Sequence, residues 1–282
     1  NPDGQQIFSI NGSSLFTAYA ADDNGKYSAQ SESWTNYGQE LIKAIGTKKD
    51  ELNKTPDPVP DPTPTPDPDP TPAPSAKATV WVVGDSTVSS FSDKYYYPRY
   101  GYGTMLKEFL DDTFDIENIA LSGRSSKSFT TEPEYKTLLN GMKDGDFLII
   151  GFGHNDEKTE KDRFTDANGD YREVGSFANS IYTNYIVPAN KVGTKVILCT
   201  PIVRRTPNGQ WNDVLLHITK DAGEFKGGDY PSAIRKLGEM LSIPVIDMTE
   251  ITRKLYDSLG YDETIYLHAW TSNKPMSVDN TH

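Results

Sequence analysis

Residues Thr79-Val80-Trp81-Val82-Val83 are an unbroken run of apolar and β-favouring side chains that leads straight into Gly84-Asp85-Ser86-Thr87. A short run without polar alternation reads as a strand buried on both faces of a parallel sheet. Gly84 lets the backbone turn sharply behind it. Ser86 then falls just past the strand's carboxyl end, the edge where open α/β sheets bind ligands. This makes Ser86 the candidate nucleophile. Asp and Ser in that place also serve as caps for a following segment, so both readings stand on this stretch alone.

The pattern recurs downstream. Strands are expected at Val80–Val83, Phe114–Ala120, Phe147–Gly151, Lys195–Cys199 and Val245–Asp247. Helices are expected between and after them at Gly103–Leu110, Glu132–Met142, Val174–Val192, Tyr230–Ser242 and Thr249–Leu259. Strand–helix alternation at this spacing means right-handed crossovers with helices on both sides of a parallel sheet. The expected fold is α/β, a flavodoxin-like three-layer sandwich on a five-stranded parallel sheet, occupying residues 78–282.

Upstream the chain changes character. From Thr55 to Pro74 every second residue is Pro, alternating mostly with Asp and Thr. Proline removes donors and pins φ, so neither helix nor ladder forms. Residues 55–77 are read as a stiff linker, with a Pro-rich core of roughly 60 Å at about 3.1 Å per residue. Residues 1–54 read as the tail of an upstream module. Short strands are expected there at Ile7–Ile10 and Leu15–Ala18, and a helix from Ser33 to Ile45. Without an initiator Met or an apolar leader, the sequence reads as a fragment of a longer, secreted product.

The net charge of −12 argues against a nucleic-acid partner, which would want a basic stripe. No apolar run is long enough to span a membrane. The single Cys199 excludes an intrachain disulfide, and its apolar setting makes it an inert core residue. No His or Cys cluster has metal-ligand spacing, so neither metal nor other cofactor is expected.

Three further segments fall beyond strands or at the chain end. Leu121-Ser122-Gly123-Arg124-Ser125-Ser126 follows the second strand, and Gly123 there can turn a backbone N–H into a cleft. Gly151-Phe152-Gly153-His154-Asn155-Asp156 follows the third, with Asn155 as a neutral amide donor. Asp279-Asn280-Thr281-His282 puts a carboxylate and an imidazole on one face of a helical turn, an orienting pair such as a serine nucleophile requires. Singly, each is an ordinary loop feature; together, and in this order, they form a set.

That set resembles the SGNH (GDSL-like) hydrolase superfamily, over residues 78–282. The Gly151–Asp156 and Ser122–Ser126 segments, with Thr200-Pro201-Ile202-Val203-Arg204-Arg205, are similar to the rhamnogalacturonan acetylesterase family within it. The resemblance implies Ser86 as nucleophile, His282 as base and Asp279 as its orienter. It also implies an oxyanion hole from the backbone N–H groups of Ser86 and Gly123 and the side chain of Asn155. Members of that family continue past the histidine into a terminal helix, so the esterase domain is expected to be truncated after His282.

The implied substrate is an acetylated polysaccharide: rhamnogalacturonan or pectin first, acetylxylan as the alternative. Arg124, Arg204 and Trp270 are candidate substrate contacts, together with Tyr95, Tyr96, Tyr97, Arg99, Tyr102, Arg205 and Trp211. Other readings are a lipase or thioesterase of the same superfamily, or a non-catalytic carbohydrate-binding fragment. A monomer carrying further modules is expected.

Overall fold

The computed structural model describes residues 77–91, 100–206 and 208–268, with four short strands before them. Those four form two antiparallel pairs: β1 (Gln6–Ile10) with β2 (Ser13–Ala18), and β3 (Ala20–Ala21) with β4 (Tyr27–Ser28). The expected strands at Ile7–Ile10 and Leu15–Ala18 lie within the first pair. The proline tract and the helix expected from Ser33 to Ile45 fall outside the described residues.

The apolar run becomes β5 (Ala78–Gly84), buried from Val80 onward on both faces. It is flanked by β6 (Phe114–Asn118) and β7 (Phe147–Gly151), followed outward by β8 (Lys195–Cys199) and β9 (Val245–Ile246). All pairings are parallel, in the order β6-β5-β7-β8-β9. This doubly wound order reverses direction between β5 and β7.

Side-chain alternation sends the two sides of the sheet into separate cores. Trp81, Val83, Leu148, Ile150, Val196 and Leu198 face one cluster. Helices α1 (Pro133–Gly141), α2 (Phe177–Ile181), α3 (Val187–Val192) and α4 (Tyr230–Leu241) cover it. Val80, Val82, Ile149 and Cys199 face the other, against Tyr102, Leu106 and, at the start of α5 (Met248–Leu259), Met248. At the amino-terminal edge, buried Asp146 accepts from the Thr79 N–H (2.8 Å), the Trp81 indole (3.0 Å) and the Lys143 N–H (3.1 Å).

Two helices differ from expectation. Gly103–Leu110 is not an α-helix: Tyr102–Glu108 winds as 3-10. It has no side-chain N-cap, and Gly103 presses so close that an added Cβ would sit 2.6 Å from Val88 O. Short uncapped segments commonly take the tighter winding. The helix expected to start at Val174 starts at Phe177, because Gly175 has φ +94° and the Ser176 hydroxyl caps the Asn179 N–H. Between α2 and α3, Tyr182–Ile186 is π-helical. Pro188 offers no N–H to the Asn184 carbonyl, and the Tyr135 hydroxyl donates to that carbonyl instead (2.9 Å).

Candidate active site

The β5–β7 pair marks the switch point, where an open α/β sheet leaves a cleft beyond its carboxyl ends. Three loops meet there. Leu121 N–H donates to Gly84 O (3.0 Å), and Asp85 N–H to Gly151 O (3.4 Å). Asn155 Nδ2 donates to Arg124 O (3.2 Å). The loops carrying Ser86, Gly123 and Asn155 are thus tied to one another at one rim.

Ser86 and Asn155 are almost wholly buried. Before Ser86, Asp85 is fully buried and its Oδ1 accepts from the Thr87 N–H (2.9 Å) and hydroxyl (2.7 Å). This side-chain turn fixes the backbone on either side of the serine. Burial pushes the Asp85 carboxyl up to about 6, against the lowering effect of the Thr87 donors. Gly123 has φ +76°, and a Cβ there would meet nothing within 4 Å, so the demand for glycine is conformational. Among the described residues its N–H meets no acceptor.

Asp156, next to Asn155, joins two of the loops. It accepts from the Ser126 N–H (3.1 Å), the Ser126 hydroxyl (2.5 Å) and the Thr165 hydroxyl (2.9 Å). Burial pushes its carboxyl up to about 7, although the Ser126 donors pull the other way. Asn155 Oδ1 accepts from Arg163 Nη1 (2.9 Å).

Of the expected substrate contacts, Arg124 is partly exposed and pairs with Glu132 (2.5 Å). Arg204 is committed inside the protein: it bonds Glu157 and the Val214 carbonyl (3.1 Å) and lies 2.8 Å from His217 Nδ1. The site for that cation is built by Glu157 and His217, both buried, with His217 in the left-handed region at φ 59°. Burial works to raise the Glu157 pKa, but His217 and Arg204 hold it below its ordinary value. The rings of His217 and His154 lie 4.2 Å apart, and both donate to Ile202 O.

Arg205 is buried too, over the Tyr261 ring and bonded to Thr264. Tyr102 is partly buried against the sheet, and Trp211 donates to Asp257 on α5 (2.7 Å). Tyr95, Tyr96, Tyr97, Arg99, Trp270, Asp279 and His282 lie outside the described residues. Sequence reasoning missed Arg163, Glu157 and His217. Their partners lie across irregular loops, where periodicity gives no signal.

Residues 80–282 match the model of the GDSL-like lipase/acylhydrolase family. The chain belongs to that family. As a GDSL-like acylhydrolase it is a carboxylic ester hydrolase. It is 29% identical over 211 residues to the rhamnogalacturonan acetylesterase RhgT of Bacillus subtilis (strain 168), covering 72% of this chain and 81% of that protein. With the rhamnogalacturonan acetylesterase of Emericella nidulans it shares 27% identity over 213 residues, 72% of this chain and 77% of the other. The fold is that of the YxiM protein from Bacillus subtilis, with a TM-score of 0.53 at 23% identity, over 71% of this chain and 51% of that one. Among the described residues of this GDSL-like hydrolase, no group of three or more His, Cys, Asp or Glu is placed to hold a metal ion. No described helix is long and apolar enough to cross a membrane.

Proposed function

We propose that this hydrolase removes O-acetyl groups from rhamnogalacturonan or a related pectic polysaccharide, through an acetyl-enzyme on Ser86. The observation that carries the reading is the convergence of the Ser86, Gly123 and Asn155 loops at the switch point. The names of the two acetylesterase relatives support the acetyl group and the polymer.

In this mechanism Ser86 Oγ attacks the acetyl carbonyl and passes its proton to His282, which Asp279 orients. The carbonyl oxygen becomes an oxyanion and takes hydrogen bonds from the N–H groups of Ser86 and Gly123 and from Asn155 Nδ2. These donors are neutral, and losing one such donor typically costs about 10²–10³ in rate. The C–O bond to the sugar breaks, and the sugar oxygen receives the proton from His282. Water, deprotonated by the same imidazole, then attacks the acetyl-serine and releases acetate. The proline tract fits an extracellular, multimodular enzyme working on bulky polymer.

The test is acetate release from acetylated rhamnogalacturonan and from acetylated xylan, by the parent and by Ser86→Ala. The reading expects release from the first polymer well above the second, and loss of both activities in the variant with unchanged melting. Faster release from xylan would reassign the substrate. Full activity in Ser86→Ala would remove the nucleophile.

A further inference from the structure

We propose that Arg163 is a positioning residue for the oxyanion donor: it fixes which end of the Asn155 amide faces the reacting carbonyl. The inference rests on the reading of Asn155 as that donor.

An asparagine amide is nearly symmetric in shape. Turned over, it would present an acceptor oxygen to the developing oxyanion and repel it. Something chemical must choose the orientation, since sterics cannot. Here two groups choose it together. Arg163 can only donate, and Nη1 reaches Asn155 Oδ1 at 2.9 Å. The Arg124 carbonyl can only accept, and it takes a hydrogen from Asn155 Nδ2 at 3.2 Å. Nδ2 carries a second hydrogen, which the oxyanion takes. A cation on Oδ1 also draws electron density toward the oxygen, which strengthens the N–H groups as donors.

The chain is folded to make this contact. After Asn155 it leaves the sheet edge and returns, and the excursion is closed by Thr165 N–H donating to Asp156 O (3.1 Å). The buried Tyr230 hydroxyl shares its one hydrogen between Thr165 O (2.8 Å) and Asp156 O (3.1 Å), bridging the two ends. A single helical turn before Thr165 puts Glu160 and Arg163 three apart. Glu160 takes Arg163 Nε at 2.9 Å and Nη2 at 2.5 Å, gripping one edge of the guanidinium and leaving Nη1 for the amide. The Arg163 side chain is only a quarter exposed, whereas that of Glu160 is more than half exposed. The cation therefore meets Asn155 away from bulk water while its charge is balanced at the surface.

The experiment compares Arg163→Met and Arg163→Lys, each alone and in an Asn155→Ala background, with kcat and KM measured on p-nitrophenyl acetate. Arg163→Met is expected to lower kcat about tenfold with KM nearly unchanged, a smaller loss than outright removal of the donor. Arg163→Lys, which keeps a cationic donor, recovers most of that rate. In the Asn155→Ala background Arg163→Met costs less than about twofold, because the amide it orients is gone.

An unchanged kcat in Arg163→Met overturns the proposal. So does an equal loss with and without Asn155, which marks a general structural role. Should the Met variant unfold, Arg163→Gln carries the same comparison. If Asn155→Ala itself keeps full activity, the oxyanion reading fails and this inference falls with it. If Asn155→Ala is crippled and Arg163→Met is not, only the inference fails.

Discussion

Asp156 receives both the backbone N–H and the hydroxyl of Ser126, thirty residues earlier in the chain, so the loop carrying Gly123 is fastened to the loop carrying Asn155. Neither loop has regular secondary structure at that point, and the carboxylate does the work a ladder would do in a sheet. Asp156→Ala leaves the buried Ser126 N–H without its acceptor, at a cost of about 1–3 kcal/mol. On the proposed function, acetate release should fall more than tenfold, since the spacing of the two proposed oxyanion donors is lost with the clamp. Urea unfolding and initial rates on the same preparation check both effects, and a stable, fully active variant would refute the clamp.

The raised values of Asp85 and Asp156 make a prediction about pH. Burial lifts them to about 6 and about 7, above the ordinary 3.8 of the unfolded chain. Between those limits the native state holds protons that the unfolded state has released. Their contribution to stability is therefore complete below pH about 4 and declines as pH rises toward about 7. Asp85→Asn has no proton to release there. Its stability, measured by urea unfolding from pH 4 to 8, should decline less steeply than the parent's, and an equally steep decline would contradict the assignment.

Gly123→Ala should separate conformation from space. The added methyl meets nothing within 4 Å, but φ +76° strains any residue with a Cβ, by about 1–2 kcal/mol. A modest drop in melting temperature is expected with a much larger drop in kcat, because relaxing φ turns the Gly123 N–H. Proportionate losses in both would mean that the N–H has no catalytic part.

At the opposite edge of the sheet, Asp146→Ala should destabilise without touching catalysis. It strips three donors at once, two on β5 and one at Lys143, and leaves the Trp81 indole buried without a partner. A cost of about 2–5 kcal/mol follows from several unsatisfied buried donors. Chemical denaturation measures it, while kcat in the folded fraction should match the parent.

Cys199 should resist alkylation in the native state. It lies between β7 and β9, and burial pushes its thiol up to about 12, so thiolate is scarce at neutral pH. Iodoacetamide labelling followed by mass spectrometry should show modification only after denaturation.

The five strands, their parallel arrangement and the place of Ser86 were legible in the sequence because they depend on local rules. An unbroken apolar run such as Val80–Val83 can satisfy itself only inside a two-sided sheet, and Gly84-Asp85-Ser86 must then emerge at its carboxyl end. Gly123 and Asn155 were legible for the same reason, as the residues that follow β6 and β7. Tertiary structure decided what each polar group bonds. Nothing in the spacing of Asn155 and Arg163, or of Asp156 and Ser126, announces that they meet. Those contacts arise where irregular loops fold back over the sheet edge, and their geometry is set by buried groups that must each find a partner. Arg204 shows the same division: its sequence context suggested a cation for the substrate, yet Glu157 and His217 enclose it. A short-range pattern says which residues lie at an edge; only packing says which of them face a ligand and which face each other.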